Sequence, residues 1–194
     1  MDGPIAEYLP HKGTIAMFPF RNDIWRENAR HMQEYMCGLV DNISEYETVF
    51  YFCDLRFIDF LRERYKNNVN VVVIPAEYDD IWARDIGPTF IHTNSKIKCV
   101  DWSFNAWGGL KEGSYFPWNK DDAFASVVAK YFGLESSRSS LVVEGGGIIT
   151  DGAGTIFSTQ SVLLNHNRNP FIKKDSLIFI KKYLEIIIQL IIKG

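Results

Sequence analysis

Apolar positions along the chain fall into short runs, separated by polar joints rich in Gly, Pro and Asn. Residues 14–18 form a compact apolar run closed by Pro19, which predicts a short buried strand. From Trp25 onward, apolar side chains recur at Ala29, Met32, Met36, Leu39, Val40 and Ile43, the spacing of one helix face, with Asp23 as the expected N-cap. Residues 48–53 are β-branched and aromatic and read as a strand. Residues 57–65 carry helical spacing at Phe57, Ile58, Phe60 and Leu61, and 69–74 read as a strand ended by Pro75.

The second half of the chain has a repeat. Residues 88–92 and 96–102 flank Thr93-Asn94-Ser95, a hairpin signal. A loop follows, then a helix over 121–132 with Gly133 at its C′ position and a strand at 141–143. The pattern then starts again. Residues 147–150 and 155–159 flank Asp151-Gly152-Ala153-Gly154, an Asn-rich loop leads to a helix at 175–184, and 186–192 is the closing strand. Two strand–strand–helix–strand units after a more irregular one suggest modules arranged around an axis or in an array. Strand ends at Ile74 and Val143 each run into a Gly-rich or acidic loop, and such an arrangement would bring those loops together. No Pro-, Gly- or Ser-rich linker divides the chain, so one domain is expected rather than two.

Composition narrows the function classes. Lys plus Arg total 21 and Asp plus Glu 24, a net charge of −3, so charge alone supplies no affinity for nucleic acid or an anionic membrane. The hydrophobic share of 46% and aromatic share of 14% are enough to fill a core, which excludes general disorder. Residues 177–192 are strongly apolar, but Lys181, Lys182 and Glu185 interrupt them well short of the roughly 20 residues a membrane span needs. Cys37, Cys53 and Cys99 are odd in number and far apart, with no Cys/His cluster, so neither a disulfide framework nor a zinc site is indicated. The first residues lack a basic segment followed by an apolar run, so no secretory signal is expected and a reducing cytoplasm is the default.

Two loops could do chemistry. Asp79-Asp80-Ile81-Trp82-Ala83-Arg84-Asp85-Ile86-Gly87-Pro88 follows one strand, and Glu144-Gly145-Gly146-Gly147 follows another. Fixed carboxylates beside an aromatic face suit a planar cation: a guanidinium offers forked N–H donors, and a Trp face attracts it. Plainer readings stand beside this one. Asp85 could pair with Arg84 or cap a turn, Trp82 could be core, and the triple Gly could cradle a phosphate, although no Lys-Ser/Thr follows it. Asn105, Trp107 and the aromatic segment Tyr115-Phe116-Pro117-Trp118 could line a ligand entrance or cover a core edge. The loop around Asn165, Asn167, Arg168 and Asn169 reads as structural. Cys37 and Cys99 fall within elements and read as buried and inert, Cys53 has no His near it in sequence, and among the histidines only His166 stands in a polar loop.

These loops resemble agmatine deiminase and the wider group that includes the bacterial peptidylarginine deiminases. The resemblance rests on segments in that family's order. They are Trp82-Ala83-Arg84-Asp85-Ile86-Gly87-Pro88-Thr89-Phe90, Asp101-Trp102-Ser103-Phe104-Asn105-Ala106-Trp107-Gly108-Gly109, Tyr115-Phe116-Pro117-Trp118, Glu144-Gly145-Gly146-Gly147 with Asp151-Gly152, and Leu163-Leu164-Asn165 with Asn167-Arg168-Asn169-Pro170. Pro10-His11-Lys12-Gly13-Thr14 and Trp25-Arg26-Glu27-Asn28-Ala29 add an N-terminal match. The resemblance implies an α/β fold, a pentein-like propeller of ββαβ units. It also implies hydrolysis of agmatine to N-carbamoylputrescine and ammonia through a Cys amidino intermediate, on the way to putrescine, with no metal or organic cofactor. Carried over by motif, Asp85 and Glu144 are the guanidinium clamps and Trp82 a pocket wall; Arg84, Asn105, Trp107, Gly145 and Gly146 are further candidates for the pocket or its surround.

The family's Gly-Ile-His-Cys-type nucleophile segment and its Asp-Gly-His-x-Asp segment are both missing from this sequence, and none of the three cysteines matches the nucleophile. The expectation is therefore about half of a five-bladed ring, a single incomplete catalytic domain over residues 1–194 that is inactive alone. A missing C-terminal half or a homo-oligomer would be its partner. The alternatives are a non-catalytic half-propeller that binds guanidinium ligands and a peptidylarginine deiminase.

Overall fold

The computed structural model describes residues 3–172 together with the backbone of Ile187 and Ile188. In chain order its strands are β1 (Gly3–Pro4), β2 (Thr14–Met17), β3 (Val49–Cys53), β4 (Val71–Pro75), β5 (Thr89–Thr93), β6 (Lys96–Ser103), β7 (Glu135–Val142), β8 (Ile148–Thr150), β9 (Thr155–Ser158) and β10 (Ile187–Ile188). Its α-helices are α1 (Arg30–Ile43), α2 (Ile58–Tyr65), α3 (Ala83–Ile86), α4 (Gly109–Glu112), α5 (Asn119–Tyr131) and α6 (Gln160–Leu163). The chain divides into two compact units, one of Pro10–Ala83 and one of Met1–Leu9 with Arg84–Gly194.

The Pro10–Ala83 unit is a three-stranded parallel sheet in the order β2-β3-β4, with α1 and α2 as its crossovers. The apolar strand runs fit this arrangement, because parallel strands covered by helices read as nearly continuous hydrophobic segments. Phe18, Val40, Val49, Tyr51, Cys53, Leu61 and Tyr65 form the core. A fully buried side chain such as Leu61 contributes about 1.5–3 kcal/mol. Gly13 is required here for two reasons: its φ is +149°, and a Cβ would lie 2.1 Å from the Thr48 carbonyl oxygen. The start of the first helix departs from expectation. Glu27, Asn28 and Ala29 have φ of 52°, 54° and 65°, so no continuous helix can run from Trp25, and α1 begins only at Arg30. Asp23 is not its cap; it forms an ion pair with Arg21 at 2.6 Å.

The other unit contains the repeat. β5, β6, α5 and β7 form the first ββαβ module, in a sheet ordered β1-β5-β6-β7. Asn94 and Ser95, both with positive φ (51° and 62°), make the tight β5–β6 turn, the backbone twist that two-residue hairpins prefer. Gly133, at φ +65°, ends α5 as its position suggested. β7 runs parallel to β6 and starts at Glu135, six positions before the apolar pattern begins. Arg138 on β7 reaches Asp101 of β6 at 2.8 Å and Asp122 of α5 at 2.6 Å, which ties the module together. The second module has β8 and β9 antiparallel, with β10 added parallel to β9. The helix expected at 175–184, and residue 186 with 189–192 of the last expected strand, lie outside the described residues. Val100, Trp102, Leu141, Val143, Ile156 and Leu163 form a core shared by the two modules.

Candidate functional site

Within the unit that begins again at Arg84, two carboxylates come close together. Asp85 sits on the single-turn helix α3, and Glu144 comes two residues after the end of β7. Gly145, Gly146 and Gly147 coil into one 3-10 turn, closed by the Gly147 N–H donating to the Glu144 carbonyl oxygen at 2.8 Å. The Gly146 N–H donates to Asp85 Oδ1 at 3.1 Å. The glycines are needed for this approach. A Cβ on Gly145 would stand 2.1 Å from the Arg84 carbonyl oxygen, and one on Gly146 would stand 2.6 Å from Asp85 Oδ1. Asp85 is held above the usual carboxylate range, chiefly by burial; the Gly146 N–H opposes that shift and the negative charge of Glu144 adds to it.

Glu144 is almost completely buried, with 2% of its surface exposed, and the chain itself supplies a guanidinium to it. Arg168 Nε donates to Glu144 Oε1 at 2.7 Å, with the Arg168 side chain only 12% exposed. The polar loop that reads as structural in sequence is what holds Arg168 there. Asn165 Oδ1 accepts from the backbone of Asn167 and Arg168. Buried Asn169 exchanges two hydrogen bonds with the Val142 backbone, at 2.9 and 3.0 Å, beside the end of β7. Sequence reasoning missed the Glu144–Arg168 pair. Its only signal was a single Arg among asparagines, which names no partner.

The other candidates fall in separate places. The Arg84 side chain forms an ion pair with Glu7 rather than Asp85, so the plain Arg84–Asp85 pairing does not occur. Asn105 Nδ2 donates to the Asn167 carbonyl oxygen at 2.9 Å, and its Oδ1 accepts from the Gly108 N–H, so it braces the loop that carries Arg168. Trp107, at φ 69°, packs edge-on to Phe104 and Tyr115 with ring centroids 5.2 and 5.9 Å away. Trp82 belongs to the Pro10–Ala83 unit. Its indole N–H donates to Asp80 Oδ2 at 2.9 Å, and its ring lies 6.0 Å from that of Trp25.

The three cysteines are free and buried. Burial pushes the Cys53 and Cys99 thiols up to about 11 and raises Cys37 as well, which disfavours the thiolate. His166 is exposed. Among the described residues no group of His, Cys, Asp or Glu could hold a metal ion, and no helix is long and apolar enough to cross a membrane.

Comparison with known proteins bears on the family of the chain. The family model of the Porphyromonas-type peptidyl-arginine deiminases matches residues 4–188. The chain belongs to this family. It is 40% identical over 173 residues to a protein of Mycoplasma capricolum named as a candidate agmatine deiminase, covering 89% of this chain and 47% of that one. It is 36% identical over 174 residues to the agmatine deiminase of Ectopseudomonas mendocina, covering 89% and 47%. Among solved structures, the agmatine deiminase of Enterococcus faecalis superposes with a TM-score of 0.88 at 30% identity, over 97% of this chain and 52% of that one. The α/β fold is thus that of the agmatine deiminases, as the resemblance implied. The chain spans about half the length of the curated relatives it matches.

Proposed function

We propose that this chain is the guanidinium-clamping half of an agmatine deiminase, acting in the cytoplasm in the supply of putrescine as part of a single catalytic domain. The observation that carries this reading is the meeting of Asp85 and Glu144 behind a turn with no side chains of its own. Two carboxylates at that spot can accept the N–H groups of one guanidinium, which aligns its carbon for attack and stabilises charge as an amine departs. In the whole protein, a Cys thiolate attacks the guanidinium carbon, ammonia leaves, and water cleaves the thioether to give N-carbamoylputrescine. This sequence holds the clamps, but neither the Cys nor the His segment. Gly145 and Gly146 let Asp85 approach the turn after Glu144, and Asn105 braces the loop that carries Arg168.

Calorimetric titration with agmatine, together with an ammonia-release assay, tests this. The expected result is binding without turnover, weakened about tenfold or more in Asp85→Asn, as for the loss of one charged hydrogen bond of roughly 1.5–3 kcal/mol. Robust ammonia release by this chain alone would refute the division of labour. The family's own description favours one further reading, a peptidylarginine deiminase. Preference for a C-terminal arginine peptide over agmatine in the same titration would select it.

A further inference from the structure

The Pro10–Ala83 unit contains an arrangement that the clamp reading does not use. Asp80 has 1% of its surface exposed, so its carboxylate must find donors inside the protein. Two of them are indoles, beside the Ile81 backbone N–H and within the field of Arg21. Trp25 Nε1 donates to Oδ1 at 2.8 Å and Trp82 Nε1 donates to Oδ2 at 2.9 Å, so each oxygen holds one indole. Nε1–H is the only polar atom of an indole, and fixing it removes the ring's freedom to swing about its side-chain bonds. The two rings lie 6.0 Å apart, tilted by 32°, and both are half-buried, so each retains surface outside the core. The charges around them favour a cation: Arg21 is turned onto Asp23 in a two-bond pairing, with Asp79 and Asp80 also within its field. A buried charge held by neutral N–H groups is a poor way to gain stability, since burial disfavours the ionised form. Holding two aromatic faces at a fixed angle is a reason to keep one.

We propose that Asp80 is a positioning residue whose carboxylate sets Trp25 and Trp82 as a two-indole wall for an organic cation. The inference concerns the Pro10–Ala83 unit by itself, goes beyond the function proposed above, and takes an alkylguanidinium as the occupant. Trp25, remote in sequence, thereby becomes part of the binding surface, and the pair selects a cation with a flat, weakly hydrated head over a compact one.

The test uses the full chain with 15N-labelled indoles. The resonances of Trp25 and Trp82 are assigned by Trp25→Phe and Trp82→Phe, and the probes are agmatine and butylguanidinium. Both indole signals should move together on titration with either cation. Asp80→Asn, which keeps one acceptor but offers a donor to the other indole, should shift at least one indole N–H in the free protein and weaken binding about fivefold. Trp25→Phe keeps a ring but loses its tether, and should weaken binding about two- to fivefold; it decides the matter if Asp80→Asn does not fold. Cations that leave both indole signals unmoved overturn the wall. Unchanged indole signals and affinity in Asp80→Asn, or unchanged affinity in Trp25→Phe, overturn the positioning role. Butylguanidinium binding without agmatine binding would leave the wall standing and sink the agmatine reading.

Discussion

Asp80 and Glu144 are carboxylates of equal burial in different units, and the chain compensates them by opposite means. Asp80 takes N–H donors from two indoles and the Ile81 backbone, with Arg21 acting on it through its field, whereas Glu144 takes a direct ion pair from Arg168. For Asp80, burial dominates and raises its protonation range despite the two indoles. The difference shows that burial alone does not set the consequence of a change; what is left behind does. Removing Asp80 leaves neutral N–H groups, and the half-buried indoles can turn theirs to water. Removing Glu144 leaves a cation in a place built to exclude solvent.

The largest effect is therefore expected at Glu144. Glu144→Ala should destabilise the chain by about 3–5 kcal/mol in denaturant unfolding, because it strands the Arg168 guanidinium. The double change Glu144→Gln with Arg168→Met should recover much of that loss, and an additive result would show that the two do not act as a pair. Asp80→Ala should cost less, about 1–3 kcal/mol in all, because the released indole N–H groups can turn to water, measured in the same way. A loss as large as that at Glu144 would erase the distinction. Gly146→Ala should come next: its Cβ would stand 2.6 Å from Asp85 Oδ1, a side-chain atom able to give way. The expected cost is about 1–3 kcal/mol of overpacking, together with weaker agmatine binding.

The smallest effect is one of pH. Asp80 and Asp85 both have folded ranges raised above the unfolded one. Their folded forms thus bind more protons through the window between the two ranges. Stability from these groups is full below the ordinary carboxylate range and declines as pH rises through the raised one. Asp80→Asn should flatten that decline. Thermal melts from acid to neutral pH would read this, and identical slopes for wild type and Asp80→Asn would remove Asp80 from the account.

Much of the frame could be read from the pattern of apolar residues, and the failures share a cause. The strands expected at 14–18, 48–53 and 69–74 are buried or half-buried along β2, β3 and most of β4 and stand out as apolar runs, although β4 starts only at Val71 and Val69 before it is exposed. β7 did not, because its first half is Glu135-Ser136-Ser137-Arg138, largely exposed at the edge of its sheet and held by backbone pairing and the Arg138 bridges. The first helix was begun too early because hydrophobic spacing is blind to the left-handed backbone at Glu27, Asn28 and Ala29. At the site, the loops bearing Asp85 and Glu144 were visible as acidic or glycine-rich sequence following strands. Which donor each carboxylate would meet was not, since Trp25 is 55 positions from Asp80 and Arg168 is 24 from Glu144. Local sequence proposes the acceptor; tertiary folding chooses the donor.

The three buried thiols turn the protein into its own stopwatch. Cys37 and Cys53 lie in the core of the Pro10–Ala83 unit and Cys99 in the other. Shielded and held as thiols, they resist a water-soluble alkylating reagent until the backbone around them opens. The order in which they are modified then reports, without any engineered label, which unit breathes first and how often.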